Sequence, residues 1–256
     1  MLMIDRYAYT NRLAGVHPAE KLLFAGVTLL LCLCAKNPAV YAASLVLMAG
    51  AALLVARIPA LFYARLMCVP VSFLLVSLAT LIFSTGHGAG DFIWGFSAGG
   101  RAVGIRPESV PAAGILLLKS VAALSCLYFL SLTTPANEIF LLLRRLRVPP
   151  LFVEMMELVY RFIFVLLETA ARIVTSQSSR LGYGGLKNTY HSMGRLFAAL
   201  LVRAFYRSRC LAVAMESRCG TGEIRFLERT YRLSPRNLGV VFLVEAVLVA
   251  MAVQVQ

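Results

Sequence analysis

Ala112-Ala113-Gly114-Ile115-Leu116-Leu117-Leu118-Lys119-Ser120-Val121-Ala122-Ala123-Leu124-Ser125-Cys126-Leu127-Tyr128-Phe129-Leu130-Ser131-Leu132 is a run of 21 residues with one charge. A helix of that length, at 1.5 Å per residue, reaches across a hydrocarbon core about 30 Å thick. Similar runs lie on both sides of it. Ala39 to Ala56 has 18 residues and Leu66 to Ser84 has 19, both uncharged, and Asn237 to Gln256 has 20 with only Glu245 charged. Leu22 to Ala35 has 14, enough to cross only if it tilts, extends back toward Ala14 or pairs with its neighbour. The whole chain is 60% hydrophobic and 14% charged, with mean hydropathy +0.79, which excludes an ordinary soluble domain. These runs predict an all-α integral membrane protein with about five transmembrane helices. Residues 1–132 form an N-terminal membrane part with four spans, 133–236 a cytoplasmic and interfacial region of long amphipathic helices, and 237–256 a C-terminal transmembrane helix.

Orientation follows from the cations. Residues 133–236 hold 16 of the 25 Lys and Arg, while Lys36, Arg101 and Arg106 are the three on the opposite side. The positive-inside rule then puts the N-terminus and the basic region in the cytoplasm of a multi-pass protein of the inner (plasma) membrane. The net charge of +13 belongs to one face. Juxtamembrane cations meet anionic lipid or an acidic protein, so the bilayer and protein partners are expected rather than nucleic acid. The chain opens Met1-Leu2-Met3-Ile4-Asp5-Arg6 and reaches its first apolar run only at Leu22, so no cleavable signal sequence is expected. Six cysteines (32, 34, 68, 126, 210 and 219) form no C-x-x-C pair, and no structural disulfide is expected.

The connections carry helix signals. His17-Pro18 precedes the first apolar run and Lys36-Asn37-Pro38 separates the first two, with proline favoured in a first helical turn. Residues 85–111 read as an exposed, glycine-rich interfacial loop around Trp94. Thr134 is a candidate N-cap for a helix of about 12 residues with Pro135 first and Glu138 in its first turn, ended by Pro149-Pro150. Residues 151–181 read as one long helix with Glu157–Arg161 and Glu168–Arg172 spaced for i, i+4 pairs. A second helix is expected from Ser192 to Cys219.

Both helices end on the same pattern. Ser179-Arg180-Leu181-Gly182-Tyr183-Gly184 and Ser217-Arg218-Cys219-Gly220-Thr221-Gly222 share Ser-Arg-x-Gly-x-Gly and stand 38 residues apart. The arginines suit a last helical turn and the glycines suit a left-handed cap. Two matched cationic helix ends on one side of a bilayer make a docking surface, able to meet two equivalent partners or one dimer.

Ile4-Asp5-Arg6-Tyr7-Ala8, Thr10-Asn11-Arg12, His17-Pro18-Ala19-Glu20-Lys21-Leu22, Thr134-Pro135 to Glu138, Val148-Pro149, Tyr160-Arg161-Phe162 and the two Ser-Arg motifs together resemble one family. It is the transmembrane T component of energy-coupling factor (ECF) transporters, in its cobalt/nickel branch, and the resemblance covers nearly the whole chain. It implies a helical membrane fold with two cytoplasmic coupling helices, in which Arg180 and Arg218 dock in grooves of two ABC-type ATPase subunits. Ser179, Gly182, Ser217 and Gly220 belong to the same docking motifs. It also implies a separate substrate-binding membrane subunit. The T component itself is then non-catalytic and holds no cofactor or metal: ATP sits on the ATPase partners, cobalt or nickel on the membrane partner. The sequence has no G-x-x-x-x-G-K-[ST] phosphate loop, and His17, His87 and His191 are scattered. A T component serving a vitamin-binding subunit is the near alternative.

A membrane enzyme and a stand-alone carrier are the distant ones. An enzyme would need reactive groups within a span, where only Lys119 and Glu245 occur. Both fall roughly 10–12 Å deep by residue count, so an ion pair locking the last span to the fourth is the expected role. A carrier would show internal repeats with interrupted helices; no repeat beyond the paired helix ends is present.

Overall fold

The computed structural model describes residues 3–35, 37–86, 94–98, 101–105, 109–218, 231 and 234–253. In chain order the elements begin with α1 (Met3–Thr10), a 3₁₀ turn (Arg12–Gly15), α2 (Pro18–Cys34) and α3 (Pro38–Gly50). α3 runs on as a π turn (Ala51–Val55) and is followed by α4 (Ala60–Ile82), β1 (Phe83–Gly86), β2 (Trp94–Ala98) and β3 (Arg101–Ile105). Then come α5 (Ser109–Thr133), α6 (Ala136–Arg145), α7 (Pro150–Ser179), α8 (Leu186–Ser217) and α9 (Pro235–Val253). Two compact units divide them: Leu2–Ala136 with Thr230–Gln256, and Asn137–Arg229.

Among the described residues of the first unit, four stretches are long and apolar enough to cross a membrane: Pro38–Val55, Ala60–Leu81, Val110–Thr133 and Pro235–Val253. α2, 17 residues long, is packed against both α5 and α9. Its inward face is made of small or polar side chains, Ala25, Thr28 and Cys32, which let neighbouring backbones approach closely. Ala25, Met48, Ala52, Tyr63, Cys126 and Phe129 form the main core across α2 to α5. α4 is apolar all round and leaves Leu61, Val69, Phe73 and Val76 exposed, as a lipid-facing helix does.

Polar groups start and stop these helices. His17 Nδ1 accepts from Ala19 N at 3.1 Å ahead of α2, and Asn37 Oδ1 accepts from Ala39 N at 3.0 Å ahead of α3, each followed by proline. Thr134 does not cap α6. Its N–H donates to Leu130 O at 2.9 Å, completing α5, and its buried hydroxyl has no partner. Nor do Pro149 and Pro150 end α6, because they open α7. α6 ends earlier, on a left-handed Arg147 (φ 62°) with Val148 N donating back to Leu143 O.

The described residues of the glycine-rich segment include strands where the sequence suggests a loop. Its three strands pair antiparallel in the order β1-β3-β2, with Gly104 opposite Ser84 on one side and Gly95 on the other. Among the described residues these are the only strands.

Candidate functional site

The second unit presents the repeated helix ends. α7 begins on Pro150 and α8 begins at Leu186, six residues before the Ser192 start that the sequence suggests. Gly185, at φ 142°, turns the chain directly into it. Within the unit, Arg144 pairs with Glu154 at 3.6 Å, and Phe140 packs edge-on against Tyr160. Of the two i, i+4 pairs, Glu168–Arg172 forms. Glu157 is buried while Arg161 is exposed, so the other does not stand on the surface as a pair.

Arg180 and Arg218 occupy the same position in the same geometry. Each is the C-cap residue of its helix, Arg180 at φ −104°, ψ 22° and Arg218 at φ −100°, ψ 18°. Each N–H donates to the carbonyl three residues back, Gln177 and Met215, at 3.1 Å. The serines match as well: Ser179 Oγ donates to Thr175 O at 3.0 Å and Ser217 Oγ to Val213 O at 2.8 Å. Such back-bonding commits each hydroxyl to its own helix and leaves the arginine as the outward group. Both arginines are exposed, and neither guanidinium has a partner among the described residues.

Beyond Arg180 the cap is a Schellman motif, with Leu181 N–H donating to Ser178 O and Gly182 N–H to Gln177 O. The left-handed residue is Leu181, at φ 56°, and not a glycine. Gly182 is needed for a different reason. A Cβ there would lie 2.8 Å from Gln177 O and 2.8 Å from Ser192 Oγ, closer than any real contact. Gln177 ties this tip together: its Nε2 donates to Ser192 O at 3.0 Å and its Oε1 accepts from Tyr183 OH at 2.7 Å. Ser192 Oγ donates to Gly182 O at 2.8 Å, so α7 and α8 are stitched through the turn. Gly220, and Cys219 which stands where Leu181 does in the repeat, lie outside the described residues.

Lys119 and Glu245 do not pair. Lys119 Nζ donates to Leu33 O at 2.8 Å and lies 5.8 Å from the centre of the Tyr41 ring. Glu245 Oε1 accepts from Thr28 Oγ1 at 2.7 Å. The cause is packing order. α2 packs against both α5 and α9, so each charge meets α2 first; Lys119 finds a carbonyl that the last turn of α2 leaves open.

A second polar cluster, in the first unit, gives structural roles to motif residues that the sequence named without explaining. Lys21, 3% exposed, donates to Thr133 O at 3.0 Å, and Asn11 Nδ2 donates to Ala8 O at 2.9 Å and Leu132 O at 3.0 Å. Glu20 accepts from Ser234 N at 2.9 Å and Asn237 Nδ2 at 3.1 Å, a carboxylate at the start of α9 where the helix dipole favours one. Its sequence signal is a Glu-Lys pair set against the edge of an apolar run, where unpaired charge would be costly. Among the described residues no three His, Cys, Asp or Glu side chains gather as a metal site requires.

A family model described as CbiQ, cobalt transport protein, matches residues 10–228. The chain is similar to the cobalt transport protein CbiQ of Rhodobacter capsulatus, 34% identical over 77% of this chain and 76% of that one. It is similar to the CbiQ protein of Salmonella typhimurium, 30% identical over 87% of this chain and 99% of that one. A protein of Methanocorpusculum labreanum named as a fused cobalt transport protein, CbiMQ, is 30% identical over 94% of this chain, which covers 40% of the longer one.

Proposed function

The chain belongs to the CbiQ cobalt transport protein family, the cobalt branch of the ECF transmembrane T components, and from that premise we propose how it works. It is a multi-pass membrane component of cobalt transport that couples a pair of cytoplasmic ABC-type ATPase subunits to a substrate-binding membrane subunit. Arg180 and Arg218 each enter an acidic groove on one ATPase subunit. Closure of the ATPases on ATP draws the two ends together, and α7 and α8 carry that displacement to the substrate-binding subunit. The N-terminus and α6–α8 face the cytoplasm, in keeping with the crowding of cations into residues 133–236. ATP and cobalt are bound by the partners, and this chain catalyses nothing. The fused relative supports a membrane partner, since it carries this component within one longer polypeptide named for two.

The observation that carries the reading is the duplicated geometry: two exposed arginines at matched caps, each beside a serine bonded into its own helix. The test is charge reversal. Arg180→Glu or Arg218→Glu removes one partner of a desolvated ion pair, and about 2–5 kcal/mol of docking energy is expected to go with it. ATP-dependent cobalt uptake and co-purification of the ATPase should fall together while the variant still inserts in the membrane. Unchanged uptake and co-purification in the double reversal would overturn the docking assignment.

A further inference from the structure

A cavity of about 580 Å³ opens in the first unit, lined among others by Tyr7, Thr10, Asn11, Arg12, Arg57 and Pro59. That volume suits a small ligand or a head group. Its chemistry is one-sided. Arg12 and Arg57 are exposed, and among the described residues neither has a partner and no acidic side chain lines the space. Two of the neighbouring donors are committed elsewhere: Asn11 Nδ2 to the carbonyls of Ala8, Leu132 and Thr133, and Thr10 Oγ1 to Arg6 O at 2.8 Å; the Tyr7 hydroxyl adds a neutral donor to the lining. The charged recognition in this cavity therefore falls to two guanidinium groups, whose planar forks fit phosphate oxygens two at a time.

Its depth is set by the chain. Arg57 lies in the turn between the candidate spans Pro38–Val55 and Ala60–Leu81, and a link that short holds it in the head-group layer of the bilayer. Arg57 is also left-handed, at φ 55°, closing the π turn as Ile58 N donates to Ala52 O at 3.2 Å. Glycine adopts that conformation with less strain, yet the corner carries a guanidinium.

We propose that this cavity binds a phosphate-bearing anion, with the phosphodiester of an acidic phospholipid as the source that its depth favours. The site is separate from the helix ends and does not depend on ATPase docking. The test uses the full chain, purified in detergent, stripped of lipid and examined by native mass spectrometry. One arm adds phosphatidylglycerol, one adds phosphatidylcholine as the zwitterionic control of no net charge, expected to bind more weakly than phosphatidylglycerol, and one adds inorganic phosphate. Arg57→Gly removes the charge while keeping the left-handed turn, and Arg12→Gln removes the other. Each is expected to weaken phosphatidylglycerol binding by a factor of about five, and the pair by about 30-fold. The exposed cation Arg195, on α8, serves as the comparison through Arg195→Gln, which should leave binding unchanged. If the paired variant is not monodisperse, the single variants read the same effect. Retention by inorganic phosphate alone, lost in the paired variant, would keep the anion site and overturn the lipid source. Equal binding by wild type and paired variant, or an equal loss in Arg195→Gln, would overturn the site itself.

Discussion

The membrane unit and the α6–α8 unit differ in how much of their side-chain surface they enclose. In the first, the charged side chains of the interior are enclosed and partnered: Lys21 on Thr133 O, Glu20 at the start of α9, Glu245 on Thr28. In the second, burial is concentrated in α6 and the start of α7, where Leu142, Val153, Glu138, Glu154 and Glu157 are enclosed and Arg144 pairs with Glu154, while α8 is left almost wholly outside. Leu186, Tyr190, Phe197 and Tyr206 are exposed on α8, only Leu196 of that helix is buried, and Arg180 and Arg218 stand clear at the helix ends. Helices packed against several neighbours can satisfy buried charge from neighbouring backbone. A long helix with one contact line, as α8 has along α7, leaves most of its apolar side chains exposed, the kind of surface that marks a site of interaction.

The sharpest way to break this contrast is to unpair the interior. Lys21→Met removes the donor to Thr133 O, and Glu20→Ala uncaps α9; each is expected to cost about 2–3 kcal/mol, as leaving a buried polar group without its charged partner does. The readout is thermal unfolding of the purified protein, and a variant as stable as wild type would mean these contacts are surface-like. Next in size is Gly182→Ala. Its methyl group must displace Gln177 O or Ser192 Oγ, and overpacking of that kind costs about 1–3 kcal/mol. Amide exchange should rise at the α7–α8 turn and stay unchanged in α2 and α5.

Leu181→Gly has the opposite sign. A left-handed Leu is strained by roughly 1–2 kcal/mol, partly offset by the greater freedom of unfolded glycine, so a net gain of about 0.5–1 kcal/mol is expected. A loss of stability would mean that the exposed Leu181 side chain makes a contact more valuable than the strain. Smallest is the coupling between Lys119→Met and Glu245→Gln. Because each side chain is bound to α2 and not to the other, their effects should add to within about 0.5 kcal/mol. A double variant markedly milder than the sum would restore the direct ion pair.

Length and hydropathy made the spans readable, because crossing a bilayer needs about 20 apolar residues whatever the neighbours are. Packing order is not carried by hydropathy, which is why Lys119 and Glu245 looked like partners until α2 was found packed against both of their helices. The repeat of Ser-Arg-x-Gly-x-Gly correctly pointed to two equivalent helix ends. It misplaced the left-handed residue, since composition favours glycine there and nothing in the sequence marks Leu181 as the residue that turns. Gly182 was legible as important but not for its true cause, a close approach to α8 that exists only after folding. In residues 85–111 seven glycines outweigh the β-formers between them and suggest a loop, while the pairing of β1, β2 and β3 depends on partners distant in the chain.

Gln177 has a mechanical consequence. Its carbonyl accepts from Arg180 N and Gly182 N, while its amide grips Ser192 and Tyr183. A tensile load applied at Arg180 is thereby shared between two helices at their junction, and the final turn resists peeling away from the rod behind it. Loosening that one clamp would let a tug stretch the tip and dissipate there, leaving the far end of the hairpin unmoved.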